Sequence, residues 1–140
     1  MGEVQQALVL DAGVLIALAL GEPSAKPLAK EMSSEENRYA CTELALSEFT
    51  SIICRKLDWM SALNETENLI QSSVVQIIPT GIVWGEDAKI KCRVAISLPD
   101  CFTVAASRVL DGLAVFARRE AEIVRATETG MLDDDLQFLE

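Results

Sequence analysis

Short apolar runs, each followed by a polar residue and then by a stretch with helical spacing, organise this chain. Ala7–Leu10 is a continuous hydrophobic run, the pattern of a strand buried on both faces of a parallel sheet. Val74–Ile78 and Leu113–Ala117 have the same character, and Arg38–Cys41 is a further short strand candidate. Strands that alternate with helices predict βαβ units around a parallel sheet, so the expected fold class is α/β.

Helices are predicted from apolar spacing and from the residues that begin them. The predicted helices are Ala12–Leu20, Ser24–Met32, a long helix that opens at Thr42–Glu43, Trp59–Ile70, Ile82–Ile96 and Leu98–Leu110. Asp111–Gly112 is expected to form a turn. Residues 1–140 are read as one domain with an acidic tail from about residue 127, in which the run Asp133–Asp135 is expected to be solvated or frayed.

Composition narrows the function classes. Half of the 140 residues are hydrophobic, enough for a full core and for a self-association surface. The net charge of −10 argues against a protein that wraps duplex nucleic acid. It leaves a nuclease open, because acids gathered at a metal site add charge that the metal offsets. It also suits a basic protein partner.

Histidine is absent and the four cysteines form no C-x-x-C pair. A structural zinc site and a histidine-based catalytic triad are therefore disfavoured. The cysteines are expected to be reduced thiols, mostly buried. The apolar stretch Ala12–Leu20 is too short to span a bilayer, so no membrane association is expected and the predicted location is the cytoplasm.

Three acids lie where an apolar segment ends or a helix begins, far apart in the sequence: Asp11, Glu48 and Asp100. Ligands of parallel sheets sit at the carboxyl ends of strands, and carboxylate oxygens suit hard cations such as Mg²⁺ and Mn²⁺. Each acid also has a structural explanation. Asp11 can cap a helix, Asp100 can interact with a helix dipole, and Glu48 can be a surface helix acid.

Four segments together resemble the PIN-domain family, in particular the small prokaryotic kind that includes VapC-type toxins: Leu8–Ala17, Gly21–Pro23, Leu44–Phe49 and Ser97–Ala106. The resemblance spans nearly the whole chain. It implies a three-layer α/β/α sandwich around a central, mainly parallel sheet, and a metal-dependent ribonuclease that is usually a homodimer. It also implies that Asp11, Glu48 and Asp100 are catalytic carboxylates that hold Mg²⁺ or Mn²⁺.

The fourth acid of the family is displaced in this sequence. A gapless match from Asp100 puts Arg118 where the family usually has an aspartate, and a turn one residue longer puts Arg119 there. Glu120 and Glu122 lie just beyond. Aligning Ile123 with the family's hydrophobic residue favours Glu120 as the fourth catalytic and metal-binding acid. An incomplete or inactive site stays open as an alternative.

Basic residues near the acids are candidates for binding RNA phosphates. Arg118 and Arg119 are expected to bind substrate, because they follow a strand beside the acids. A second set is either an RNA track or ordinary solvated helix surface: Arg55, Lys56, Lys89, Lys91 and Arg93. Trp59 and Trp84 are expected to be core or dimer contacts rather than base-stacking platforms.

Three functions are compatible with these residues. The first is a metal-dependent endoribonuclease acting on RNA, the toxin of a pair whose basic antitoxin blocks the site. The second is a degenerate PIN module that binds RNA or a protein without cleavage, supported by the displaced fourth acid. The third is a phosphatase-like Mg²⁺ hydrolase, which the lack of a nucleophile motif after Leu10 disfavours.

Overall fold

The computed structural model of the protein describes residues 5–140. Five parallel strands form one sheet in the order β3-β2-β1-β4-β5. The strands are β1 (Ala7–Leu10), β2 (Arg38–Thr42), β3 (Val75–Ile78), β4 (Leu113–Phe116) and β5 (Leu136–Phe138). The helices are α1 (Ala12–Ala19), α2 (Lys26–Met32), α3 (Glu43–Lys56), α4 (Trp59–Gln71), α5 (Thr80–Arg93), α6 (Leu98–Val109) and α7 (Ala121–Glu128), with a 3₁₀ turn Pro23–Ala25 before α2. The α/β prediction is confirmed.

Helices cover both faces of the sheet, which gives the three-layer α/β/α sandwich. One hydrophobic cluster joins the sheet to α5, α6 and α7, and the other joins it to α1, α3 and α4. Val9 belongs to the first cluster while Leu8 and Leu10 belong to the second, because successive strand residues point to opposite faces. All of β1 is buried, as its unbroken apolar sequence predicts.

The turn between α6 and β4 brings two backbones into close contact. Asp111 has a positive φ of 52°, and the Gly112 N–H donates to the Ser107 carbonyl at 2.7 Å. A Cβ at Gly112 would lie 2.2 Å from the Ala7 carbonyl oxygen of β1. Glycine is therefore required here by the approach of the neighbouring strand.

Some boundaries differ from the sequence predictions. Helix α5 begins at Thr80 and ends at Arg93, because Val94 adopts an extended conformation and enters the core together with Ile96. The strand β5 and the helix α7 were not predicted. In the acidic run, Asp133 and Asp135 are exposed as expected, but Asp134 accepts two hydrogen bonds from Arg108 at 2.6 and 2.8 Å.

The two tryptophans are not core residues, contrary to one of their two predicted roles. Trp59 is 56% exposed and Trp84 is 62% exposed. The four thiols are free; Cys41 and Cys101 are buried, whereas Cys92 is exposed. Within residues 5–140, no helix has the length and apolar character needed to cross a membrane.

Candidate metal centre

Asp11 lies directly after β1, at the carboxyl edge of the sheet. Its backbone N–H donates to the Val115 carbonyl of β4 at 3.0 Å, and its Oδ2 accepts from the Gly13 N–H at 3.2 Å. The side chain therefore caps α1, as one of its two sequence interpretations requires. Burial, and then the charges of Asp100 and Glu48, raise the pKa of Asp11 to about 7. The Asp11 carboxylate therefore caps a helix and also lies near enough to Asp100 and Glu48 for their charges to raise its pKa.

Asp100 occupies the first turn of α6 and is only 6% exposed. The Ser97 hydroxyl accepts from the Asp100 N–H at 3.3 Å and so caps the helix. Burial raises the pKa of Asp100 to about 6; hydrogen bonding with Ser97 opposes the rise, and the charges of Glu120 and Glu48 add to it. The carboxylate is thus held at the start of a helix and faces two other acids.

Glu48 projects from the second turn of α3 and is half-buried. Burial raises its pKa, the charge of Glu120 raises it further, and the charge of Arg55 opposes the rise. Its fixed place on a helix that packs against the sheet explains why an acid in mid-helix faces the strand edge.

Glu120 precedes α7 and is exposed. Its charge acts on both Glu48 and Asp100, whereas the charge of Glu122 contributes to the pKa of Asp100. Of these two glutamates, Glu120 is therefore the one that faces two of the other acids. Glu120 as the fourth metal-binding acid stays a prediction.

The four acids share one electrostatic neighbourhood but do not close on a single point. Within residues 5–140, no three Asp, Glu, His or Cys side chains stand close enough together to hold a metal ion. The carboxylates lie apart because like charges repel one another and because Glu120 is on an exposed segment. Their chemistry fits a hard divalent cation, because every donor is a carboxylate oxygen.

A cleft of about 270 Å³ opens beside these acids. Residues of α1, α3 and β4 give part of its apolar lining, and of the four acids Asp11 and Glu120 line it whereas Glu48 and Asp100 do not. Glu22, Lys56 and Arg118 also line it. Sequence reasoning did not assign Glu22 to the site, and it named Lys56 only within a set that was either an RNA track or ordinary solvated helix surface. The available signals were that Glu22 lies in the matched segment Gly21–Pro23 and that Lys56 follows Glu48 by two helical turns.

The two arginines after β4 have different surroundings. Arg118 lines the cleft, and its Nε lies 3.9 Å from Glu140 Oε2 across a largely exposed gap. Arg119 instead places its guanidinium 4.6 Å from the centre of the Phe138 ring, a cation–π contact with β5. Of the pair, Arg118 is the one beside the acids.

Comparison with known proteins identifies the family of this chain. The PIN-domain family model matches residues 8–127, which include Asp11, Glu48, Asp100 and Glu120. The chain belongs to the PIN-domain family. No match was found among curated proteins. PIN nucleases are generally dependent on divalent metals, consistent with the chemistry of the four carboxylates.

Solved structures of VapC toxins and VapBC complexes share the fold of this PIN-domain chain. VapBC from Salmonella typhimurium, bound to DNA, has a TM-score of 0.70 at 11% identity, covering 97% of this chain and 100% of that one. VapBC-1 from nontypeable Haemophilus influenzae has a TM-score of 0.68 at 15% sequence identity, and the match covers 95% of this chain and 98% of that one. VapC20 from Mycobacterium tuberculosis, a toxin that cleaves the sarcin–ricin loop, has a TM-score of 0.63 at 14% sequence identity. The match covers 85% of this chain and 94% of that one. At these identities the likeness establishes the fold.

Proposed function

We propose that this PIN-domain protein is a divalent-metal-dependent endoribonuclease that acts as the toxin of a toxin–antitoxin pair. The observation that carries the proposal is that acids from distant segments act on one another electrostatically. Burial and the charges of other acids raise the pKa values of Asp11, Glu48 and Asp100, and the charge of Glu120 contributes at Glu48 and Asp100. Burying several carboxylates together costs free energy unless a cation accompanies them. Such a cluster is expected at a site that binds a metal ion.

The acids have distinct tasks in the proposed site. Mg²⁺ or Mn²⁺, when bound, polarises a phosphate oxygen and lowers the pKa of a water. Asp11 and Asp100 are the fixed ligands, because backbone hydrogen bonds and helix caps hold their positions. Glu48 and Glu120 complete the set. Glu48 or Asp100 accepts a proton from the attacking water.

A protein nucleophile is not required in this scheme, which agrees with the absence of histidine. Arg118 is proposed to bind substrate phosphate from the cleft wall. Arg119, the other arginine expected to bind substrate, is held over Phe138, and we assign it to anchoring β5 beside the site.

A basic antitoxin segment is the proposed protein partner. Several of the structures that share this fold are toxin–antitoxin complexes, and this chain carries a net charge of −10. Complementary charge would accelerate encounter with a basic segment and favour its binding over the acidic cleft. The protein is proposed to act in the cytoplasm, as a homodimer.

Calorimetry with Mn²⁺ and Mg²⁺, followed by cleavage of a mixed RNA pool with each ion, tests the function. Asp100→Asn is expected to abolish cleavage and to weaken metal binding at least tenfold. Asp111→Asn is the matched control, because it removes one acid at an exposed turn with a positive φ that asparagine tolerates. Wild-type protein that binds no ion at millimolar concentration would reject the proposal. The non-cleaving binding module, favoured by Arg118 at the family's acid position, would then replace it.

A further inference from the structure

We propose that Lys56 joins Arg118 in holding a phosphate of single-stranded RNA that neighbours the phosphate at the acids. The inference rests on the proposed nuclease function and adds a substrate-binding residue to it. Its basis is the arrangement of charged side chains along α3 and around the 270 Å³ cleft.

One face of α3 changes from acidic to basic along its length. Glu48, Ile52 and Lys56 follow one another at four-residue intervals, so they lie on the same side of the helix. Glu48 and Lys56 are about 12 Å apart along the axis, at 1.5 Å per residue. Ile52 and Lys56 both line the cleft. One side of α3 therefore carries Glu48 near the other acids and, two turns later, the positive charge of Lys56 at the cleft.

Arg118 reaches the cleft from a different element. It follows β4, whereas Lys56 ends α3, so the two cations come from separate parts of the cleft wall. Asp11 and Glu120 lie in that wall as well. A chain of phosphates that has one member over the acids can place an adjacent one between Lys56 and Arg118. Lysine acts there as a point charge, and arginine supplies forked N–H donors.

Both cations are available to a ligand. Lys56 is exposed and forms no ion pair with another residue in the 5–140 range. The contact between Arg118 and Glu140 is 3.9 Å long and joins side chains that are 75% and 57% exposed, so it contributes little. Four of the other basic side chains contact groups of the protein itself. Arg108 is held by Glu86 and Asp134, Lys89 by Glu86, Lys91 by the Ile96 carbonyl and Arg119 by Phe138.

Single-stranded RNA fits this surface better than a duplex. The pair lies in a cleft, and the protein's net charge of −10 gives no broad positive field for a double helix. A single strand can pass its backbone through a local pair of cations, with the salt dependence that counterion release imposes.

Fluorescence anisotropy with a short, labelled single-stranded DNA in Mg²⁺, checked by gel to stay intact, measures this binding without relying on cleavage. Lys56→Ala and Arg118→Ala are each expected to weaken affinity about tenfold, and each should reduce the salt slope by about 0.7. In RNA cleavage, KM should rise while kcat changes little, and Mg²⁺ affinity measured by calorimetry should remain unchanged. Lys30→Ala on α2 is the matched control, because it removes one exposed lysine outside the cleft.

The outcomes separate this inference from the function on which it rests. Unchanged DNA affinity and KM in Lys56→Ala, or an equal loss in Lys30→Ala, would overturn the assignment of Lys56 while leaving the nuclease intact. Wild-type protein that neither binds Mg²⁺ nor cleaves RNA would reject the function instead. Unfolding midpoints equal to that of the wild type in all three variants exclude misfolding as the cause of lost affinity.

Discussion

At Asp11, one carboxylate caps α1 and also faces Asp100 and Glu48, so the fold places a charge where its ionisation is unfavourable. The pKa of Asp11 rises from 3.8 to about 7 on folding. Between these values the folded protein keeps a proton that the unfolded chain has released. The free energy of unfolding therefore falls as the pH rises from about 4 to about 7, and the full cost persists above that range.

Replacing Asp11 by Asn is expected to stabilise the metal-free protein. Asparagine keeps an oxygen acceptor for the Gly13 N–H and removes the ionisation, so the free energy of unfolding at pH 8 should increase by about 2–4 kcal/mol. At pH 5 the gain should be smaller. Urea unfolding in a chelating buffer at both pH values measures the difference. A gain of equal size in Asp111→Asn, or none at pH 8, would contradict this account.

Among the elements, the junction of β1 and β4 tolerates change least. Gly112→Ala would place a methyl group against the Ala7 carbonyl, and the contact is with backbone that cannot move without separating the strands. Overpacking of this kind costs about 1–3 kcal/mol or more. Gly85→Ala, in open space within α5, should instead stabilise by up to about 1 kcal/mol, since alanine is the better helix former. Thermal and urea unfolding of both variants test the contrast, and a stable Gly112→Ala protein would refute it.

Sequence patterns predicted the elements whose burial leaves a strong signal. β1 and β4 lie within apolar runs, because strands packed between helix layers need hydrophobic residues on both faces. β3 is an edge strand with Gln76 exposed, and its remaining apolar residues still marked it as a strand. β5 has only three half-buried residues, one of them Gln137, so nothing distinguishes it from the tail. Its place in the sheet comes from pairing with β4, a tertiary interaction that no local pattern encodes.

In the candidate site too, the sequence pattern predicted some residues, whereas others depend on how the elements pack. The order of Asp11, Glu48 and Asp100 along the chain indicated the acid cluster because each lies at the start of a helix or within one. Lys56 lines the cleft because α3 packs beside α1, and the different surroundings of Arg118 and Arg119 depend on the position of Phe138. These facts depend on how elements are packed, so sequence spacing alone does not supply them.

On the scale of the whole molecule, two groups of exposed large apolar side chains predict self-association. Leu57, Trp59 and Met60 cluster at the junction of α3 and α4, while Ile82 and Trp84 lie on α5. Such groups favour burial against another protein surface. We expect a dimer in sedimentation equilibrium, and a shift towards monomer in Trp59→Gln or Trp84→Gln. Met131→Gln is the control at a separate exposed site. A monomeric wild type at micromolar concentration would contradict the prediction.

The pairing of β1 with β4 also governs when the acids come together during synthesis. Asp11 is fixed by a hydrogen bond to Val115, roughly a hundred residues later in the chain, and contacts this distant in sequence form late in folding. On the ribosome, a nascent chain that has exposed Asp11 still lacks its neighbour strand and Glu120. The acids therefore come together only after β4 and α7 have emerged, and a fragment that ends before β4 keeps Asp11 apart from its partner strand and from Glu120.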